Sequence, residues 1–418
     1  MKSMIKIKQS NQGLLLIFLG WLVYTTSYLG KVNYSANITQ IIDFYGITKT
    51  EAGIVPTFFF VAYGLGQFIN GFFCRKYNIK WIIFFSLLIS SIINFTIAVS
   101  TNFAIVKWLW MVNGFVLSML WPTLIRMLSE NLSKKLLGTS SVVMGTTVAL
   151  GTLTIYGLSS IYAAFNKFKL AFYTAAFVVI IVSFVWLISY GKAVTSAKEG
   201  CRMEDSADET KRETTTQEKH VNSGKNILAT VIVLCFYAIG INLTKDGLTT
   251  WVPSILKEEF CLTDSISILL TLFLPVLAVF GNAFALRVHK KVPDYINHCV
   301  IIFAAIAIFI FMIIGSMSHE LVVFMVLGLV IVNFLASSLN SLITAIFPLF
   351  MREKVNSGKI AGVINGFCYL GSAISSYGLG FVADNFGWTS VFYVLIGFCV
   401  ISFIIWCGYK CYLNKRAA

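Results

Sequence analysis

Two lysines stand inside apolar segments of the chain, where a charge is unfavourable. The tripeptide that ends at Lys31 reads Leu-Gly-Lys, and the one that ends at Lys245, 214 positions later, reads Leu-Thr-Lys. A charged residue in a lipid-spanning helix costs about 2.5–3.5 kcal/mol on insertion scales, so it usually faces the protein interior or a water-filled cavity. Tyr24, Tyr28 and Tyr34 lie near the first lysine and bring hydroxyl groups. One lysine at a matching place in each half predicts an anion held between two repeats.

A second interpretation of the lysines is that both extend to the outer membrane interface. Long basic side chains near the end of a spanning helix can place the charge at the lipid headgroups. Lys31 lies 18 residues after Gly13, roughly 27 Å along a straight helix. That length approaches the thickness of the hydrocarbon core, so the sequence leaves both interpretations open.

The composition of the chain is that of a helical membrane protein. Of its 418 residues, 57% are hydrophobic and only 12% are charged, whereas an ordinary soluble domain carries about 25% charge. The net charge of +14 is spread between apolar runs, a distribution that argues against a nucleic-acid binder. We therefore predict an all-α membrane protein with twelve transmembrane helices.

The predicted spans follow from the apolar runs, and the basic residues between them give the topology. The spans cover residues 13–35, 52–74, 80–100, 104–127, 138–162, 168–190, 226–249, 265–287, 295–316, 320–347, 358–383 and 388–409. With the N-terminus inside, the inside segments hold 25 Lys and Arg residues and the outside loops hold four. This asymmetry places both termini in the cytoplasm.

One polar segment divides the spans into six plus six. Residues 192–225 are mixed in charge and have no apolar periodicity, so we expect a flexible cytoplasmic linker there. The predicted domains are an N-terminal six-helix bundle over residues 1–191 and a C-terminal six-helix bundle over residues 226–418.

The two halves share sequence patterns at nearly constant offsets. An aromatic-Pro-x-x-x-Arg pattern starts at Trp121 and ends at Arg126 in span four, and it returns 226 positions later with Arg352 in span ten. A Leu-Gly pair ends at Gly151 in span five and again at Gly371 in span eleven, at an offset of 220. Parallel six-helix repeats are typical of one transporter architecture. The two arginines are either inner-surface anchors or contacts of a gate.

Several segments together resemble the organophosphate:phosphate antiporters of the major facilitator superfamily, the group of glycerol-3-phosphate and hexose-phosphate transporters. The similar segments are Tyr-Leu-Gly-Lys-Val-Asn at 28–33, Ala-Tyr-Gly at 62–64, Trp-Pro at 121–122, Lys-Asp-Gly with a following Trp and Pro at 245–253, and Asp-Asn-Phe-Gly-Trp at 384–388. The resemblance covers nearly the whole chain. It implies two six-helix bundles and transport by alternating access.

The resemblance also implies where a substrate would bind. The family holds the substrate phosphate between two arginines, one per half, and these positions are Lys31 and Lys245 here. Lysine binds phosphate as a point charge, without the bidentate geometry of arginine. A carboxylate, a phosphodiester or a zwitterion therefore competes with a phosphate monoester as the substrate. The residues implied to bind substrate are Lys31, Lys245, Tyr24, Tyr28, Asn33, Tyr63, Gln67 and Thr147, where Gln67 and Thr147 replace basic residues of the family.

Several functional classes remain open at this point. The first is a secondary transporter of a small organic anion, with Trp121, Arg126 and Arg352 as gate elements. Exchange of one anion for another is one mode of such transport. The second is a proton-coupled transporter of another solute, in which Asp246 either carries the proton or lies at the outer mouth beside Lys257. The third is a transporter-like sensor, a role that some members of the resembled family have.

Other classes and partners are not expected. The sequence has no phosphate-binding loop for ATP, and none of its His, Cys and Asp residues have metal-ligand spacing. We therefore predict neither an enzyme nor a bound cofactor or metal. The expected partners are a small anionic substrate and the lipid bilayer, with no nucleic acid. We expect a monomer in a bacterial plasma membrane.

The topology makes the first testable prediction. In a cysteine-free background, Ser206→Cys in the central segment should resist an impermeant thiol reagent on intact cells, because that segment is predicted to be cytoplasmic. The matched control, Lys167→Cys in a predicted outside loop, should be labelled. Labelling of the central cysteine before lysis would invert the assignment.

Overall fold

The computed structural model describes residues 13–73, 77–205, 224–350 and 357–417. Within these ranges all regular elements are helical. In the N-terminal half the spans are Leu14–Ala36 with Ile38–Tyr45, Lys49–Phe73, Ile79–Val99, Phe103–Ser118 with Leu120–Asn131, Lys134–Gly145 with Thr147–Ala164, and Lys169–Asp205. In the C-terminal half they are Gly224–Phe260, Asp264–Thr271 with Phe273–Ala278 and Gly281–Lys291, Tyr295–Ser318, Val322–Ser341 with Leu342–Ile346 and Phe347–Phe350, and Ser357–Ala417.

The helices agree with the predicted fold class. Among the described residues, ten helices are long and apolar enough to cross a membrane, and a bent helix pair from Asp264 to Lys291 makes an eleventh candidate. The last helical stretch is interrupted at Gly387, whose φ of 77° and ψ of 170° are not helical. Such a positive φ favours glycine. Each side of this break exceeds the roughly 20 residues that a span requires, which fits the twelve predicted spans.

The predicted linker differs in part from the structure. Span six continues as a helix to Asp205, so residues 192–205 are helical and not an irregular segment. Span seven begins at Gly224. The expectation of a flexible linker is therefore wrong for 192–205, and residues 206–223 lie outside the described ones. A polar composition without apolar periodicity did not reveal that a preceding helix could extend into it.

The repeated prolines distort spans four and ten at the same place. Pro122 follows the break between the two helices of span four at Met119, and Pro348 follows a five-residue π-helix, Leu342–Ile346, in span ten. Proline lacks an N–H and its ring clashes with the carbonyl four residues earlier, which disturbs the helix at that position. The Asn70 side chain donates a hydrogen bond of 3.1 Å to the Met119 carbonyl at the first break. The sequence repeat thus corresponds to a repeated helix distortion.

The repeated glycines make one helix contact twice, once in each half. A β-carbon at Gly151 in span five would overlap the carbonyl oxygen of Thr25 in span one. A β-carbon at Gly371 in span eleven would overlap the carbonyl oxygen of Ile239 in span seven. The two glycines are 220 positions apart, and the two carbonyls are 214 apart, as Lys31 and Lys245 are. Close helix approach through small residues therefore positions both lysine-bearing spans.

The two halves also contact each other through polar groups. Thr57 of span two donates to the Ala373 carbonyl of span eleven at 2.8 Å, and Ser160 of span five donates to the Ser265 carbonyl of span eight at 2.8 Å. At the predicted outer end lies an ionic group that we call the closing cluster, formed by Asp43, Lys49, Lys257, Glu258 and Asp384. Its cross-half ion pairs are Lys49 with Glu258 at 3.0 Å, Lys49 with Asp384 at 3.7 Å and Lys257 with Asp43 at 2.7 Å.

The close glycine contacts generate a stability prediction. Gly151→Ala and Gly371→Ala should each destabilise the protein by about 1–3 kcal/mol, because overpacking forces the backbones apart. The measurement is the midpoint of thermal unfolding in detergent.

Matched controls for these variants lie in the same spans. Apart from the adjacent residues and backbone of the same helix, no heavy atom lies within 4 Å of a β-carbon at Gly157 or Gly378. Gly157→Ala and Gly378→Ala should therefore leave the midpoint unchanged or raise it through helix propensity. Equal midpoints for the test and control variants would contradict the packing argument.

Candidate functional site

Lys31 points into a group of aromatic rings inside the protein. Its Nζ lies 4.2 Å from the ring centroid of Tyr63, 4.9 Å from that of Tyr28 and 5.9 Å from that of Phe59. Cation–π attraction at such distances contributes about 0.5–2 kcal/mol. The ammonium therefore rests among side chains of spans one and two, so the interpretation of Lys31 as an anchor in the outer interface does not fit its position.

A buried polar network fixes the turn of span one that carries Lys31. The Gly30 carbonyl accepts hydrogen bonds from Asn113 at 2.8 Å and from Asn94 at 3.4 Å. Asn33 donates to the Asn94 side chain at 2.8 Å, and Ser90 donates to the Asn113 side chain at 2.7 Å. Buried polar groups that are fully bonded hold a single arrangement. Spans three and four thereby set the position of Lys31.

The second lysine has a carboxylate partner on its own helix. Lys245 Nζ lies 3.1 Å from Asp246 Oδ1, and Ser372 of span eleven donates a short hydrogen bond to Asp246 Oδ2. The side chains of Lys245 and Asp246 are 24% and 22% exposed, which is consistent with a water-filled space in the middle of span seven. Asp246 thus has its partners in spans seven and eleven, whereas Lys257 and Glu258 belong to the closing cluster.

The two lysines belong to one site. Spans one and seven pack against each other. Asp246 is close enough to act electrostatically on Lys31, and Tyr28 is close enough to act on Lys245. The arrangement thus brings two ammonium groups, one carboxylate and tyrosine hydroxyls together between the halves, a set of groups able to bind an anion.

Three further aromatic residues, Tyr24, Trp121 and Tyr369, continue this group. The ring of Tyr24 lies 5.5 Å from that of Tyr28 and 4.6 Å from that of Trp121. Tyr63 meets Tyr369 of span eleven with ring centroids 4.9 Å apart. The predicted residues Tyr24, Tyr28, Tyr63 and Trp121 are therefore neighbours of the lysine site.

Other predicted binding residues have different surroundings. Asn33 and Thr147 are 0% exposed, and Thr147 donates to the Met144 carbonyl in its own span. Their polar groups are thus directed into the N-terminal bundle, so Asn33 supports the site through Asn94 rather than by reaching substrate. Gln67 is half-buried and lies one helical turn after Tyr63, on the same helix face.

The predicted gate arginines have separate outcomes. Arg126 forms an ion pair with Glu130 at 2.7 Å and donates to the Tyr77 carbonyl at 3.2 Å, both within the N-terminal half. Arg352 lies outside the described residues. The matched gate therefore stays a prediction.

Some site residues were not found from the sequence. They are Phe59, Asn242, Asn340, Cys368, Tyr369 and Ser372. Asn340 Oδ1 accepts from Asn242 at 3.2 Å and from the Cys368 thiol at 3.6 Å, and this thiol is close enough to interact electrostatically with Lys245 and Asp246. The available signal was the repeated Leu-Gly pair of span eleven, since Tyr369 and Ser372 flank it.

Within the described part of the chain, no group of three or more His, Cys, Asp or Glu residues could hold a metal ion.

Comparison with known sequences supports the transporter reading. The family model described as Major Facilitator Superfamily matches residues 20–376. A probable hexose phosphate transport protein of Chlamydia trachomatis is 23% identical over 412 residues, covering 93% of this chain and 88% of that protein. A glycerol-3-phosphate transporter of Bacillus subtilis is 22% identical over 411 residues, covering 93% and 89%. Sugar phosphate exchanger 3 of Bos taurus is 22% identical, covering 84% and 78%. The resemblance found in the sequence is confirmed by these relatives.

Solved structures show the same fold. A bacterial homolog of the human lysosomal transporter Spinster, in an inward-facing and occupied conformation, superposes with a TM-score of 0.71 at 12% identity, covering 96% of this chain and 97% of that one. The xylose transporter XylE of E. coli, in a partially occluded inward open conformation, superposes with a TM-score of 0.67 at 11% identity, covering 94% and 96%.

The network at Gly30 generates the prediction of this subsection. Asn113→Leu removes a donor to a buried carbonyl and the acceptor of Ser90, and unsatisfied buried groups cost about 1–3 kcal/mol each. The thermal unfolding midpoint in detergent should fall clearly. Asn385→Leu is the control, because the Asn385 side chain is exposed and donates to the Phe381 carbonyl one turn earlier in its own helix. Equal midpoints for the two variants would show that the network does not anchor span one.

Proposed function

The chain belongs to the Major Facilitator Superfamily, and we propose that it carries a small organic anion, a phosphate ester or a carboxylate, across the membrane by alternating access. One observation supports the proposal: Lys31 and Lys245, one from each half, both interact electrostatically with Tyr28 and with Asp246. An anion that contacts both would link the two bundles. The relatives are named as transporters of hexose phosphate and glycerol-3-phosphate, and these names favour a phosphate ester as the substrate.

Alternating access requires contacts that can separate at each end of the interface. The closing cluster consists of exposed and half-buried ion pairs, and surface pairs contribute only about 0–1 kcal/mol each. Its residues can therefore exchange partners for water when the outer end opens. In the topology that the basic residues predict, the described conformation has this outer end closed.

The charge of the site favours exchange of one anion for another. Lys31 has aromatic neighbours, so the empty site keeps an uncompensated positive charge. A bound anion removes that charge and stabilises the closed intermediate between the two conformations. We infer that loaded protein converts faster than empty protein, a behaviour that fits the name of the sugar phosphate exchanger among the relatives.

The other functions differ from this proposal in measurable ways. In a proton-coupled transporter Asp246 would carry the proton, but both of its oxygens are engaged by Lys245 and Ser372, so we assign it the role of a counter-ion. A sensor would bind the anion without transporting it.

The protein is a multi-pass membrane protein. We propose that it lies in a bacterial plasma membrane with both termini inside and that the carrier is a monomer.

A reconstitution experiment tests the proposal. Proteoliposomes loaded with inorganic phosphate should take up labelled glycerol 3-phosphate or hexose 6-phosphate, and empty liposomes should take up much less. Lys31→Ala and Lys245→Ala should each weaken binding roughly tenfold or more, because charge-assisted hydrogen bonds contribute about 1.5–3 kcal/mol. Lys→Arg at either position should retain part of the binding.

Controls separate the possible outcomes of this experiment. Lys107→Ala removes a lysine whose ammonium lies 5.8 Å from the Trp108 ring near the outer end of span four, and it should bind and transport as wild type does. Binding without uptake would indicate a sensor. Unchanged binding in both alanine variants of the site would refute the anion site at the two lysines.

A further inference from the structure

We propose that this site carries one net positive charge rather than two, so that its substrate is held as a monoanion, with Lys31 as the ionic partner of the anion and Lys245 neutralised by Asp246. This inference rests on the proposed function and specifies the charge class of the substrate. For a phosphate compound, the fitting forms are a phosphodiester or a monoprotonated monoester.

The first step of the argument is that Asp246 is committed to Lys245. Its Oδ1 pairs with the lysine at 3.1 Å, and its Oδ2 accepts the hydrogen bond from Ser372. Ser372 is itself 0% exposed on span eleven, so it holds the carboxylate from a second helix. A carboxylate with both oxygens engaged is a fixed counter-ion for the neighbouring ammonium.

The second step is that the surroundings of Lys31 are different. Its close contacts are the aromatic rings of Tyr28, Phe59 and Tyr63, and among the described ion pairs none involves Lys31. Asp246 acts on Lys31 only from beyond ion-pair distance. Aromatic rings attract a cation without cancelling its charge. The corresponding lysines of the two repeats thus differ in their partners, although their sequence positions match. A carboxylate balances the charge of Lys245, whereas aromatic rings surround Lys31.

The third step is the total charge of the occupied site. Two lysines and one aspartate give one positive charge, which a monoanion balances. A dianion leaves one excess negative charge between the helices, where an uncompensated charge is less favourable than in bulk water. The site should therefore discriminate against a second negative charge on an otherwise equal ligand.

The test is a rescue experiment on purified protein with the methyl diester of glycerol 3-phosphate, which carries one negative charge. Lys245→Ala leaves Asp246 unpaired beside the anion and should weaken binding roughly tenfold or more. Adding Asp246→Asn removes that repulsion, so the double variant should recover most of the lost affinity. Lys31→Ala combined with Asp246→Asn should recover less, because the main partner of the anion is gone.

A ligand pair gives the second readout. Glycerol 3-phosphate carries close to two charges at pH 8, since the second phosphate pKa is about 6, and its methyl diester carries one. Wild type should bind the diester at least as tightly as the monoester. Asp246→Asn alone should shift this ratio roughly tenfold toward the monoester, because it raises the site to two positive charges. The matched control, Asp294→Asn, changes a carboxylate that pairs with Lys410 outside the site and should neither shift the ratio nor rescue Lys245→Ala.

The outcomes distinguish this inference from the proposed function. If both lysine variants lose binding but Asp246→Asn neither rescues Lys245→Ala nor shifts the ligand ratio, the one-charge site is refuted and the two-lysine anion site stands. If wild type binds neither ligand, or if the lysine variants bind as wild type does, the proposed function and the charge assignment both fail.

Discussion

Positive charge inside a lipid-spanning bundle is the constraint on which the organisation of this protein depends. An ammonium in the hydrocarbon region is unfavourable unless the protein or an aqueous cavity compensates for it. The protein uses a different means in each half. Lys31 is surrounded by aromatic rings on a helix turn that buried asparagines hold, whereas Lys245 pairs with Asp246. The arrangement leaves one ammonium without a carboxylate partner, and the proposed anion site depends on that charge.

The repeat duplicates the scaffold but not the chemistry of the site. Gly151 and Gly371 let equivalent helices approach closely, and prolines distort spans four and ten at equivalent places. These features depend on backbone contacts, which a duplicated fold preserves as long as small residues remain. The groups around each lysine depend on single side chains, such as Tyr63 and Asp246, which can change without altering the scaffold. Two similar bundles can therefore offer two unlike faces to one substrate.

The interface between the halves combines polar contacts with close packing. Its polar contacts include hydrogen bonds to backbone carbonyls and ion pairs at one end, such as Lys49 with Glu258. Ionic and polar contacts lose little when water replaces the partner, in contrast to a packed apolar interface. Close packing also crosses the interface, because a β-carbon at Gly53 would overlap the Ser376 carbonyl and the rings of Tyr63 and Tyr369 meet. Movement of one half against the other requires these contacts to separate as well.

The sequence by itself determined the membrane class, the spans, the repeat and the two lysines, because apolar length, charge asymmetry and residue offsets are properties of the chain. Only the tertiary structure decided which side chains meet. Asn33 and Thr147 turned out to be buried in the N-terminal bundle, Asp246 has Lys245 and Ser372 as partners, and span six continues through residues 192–205. Spacing along one helix shows which residues share a face, but the groups opposite that face come from distant segments, and their contacts depend on how closely the helices pack.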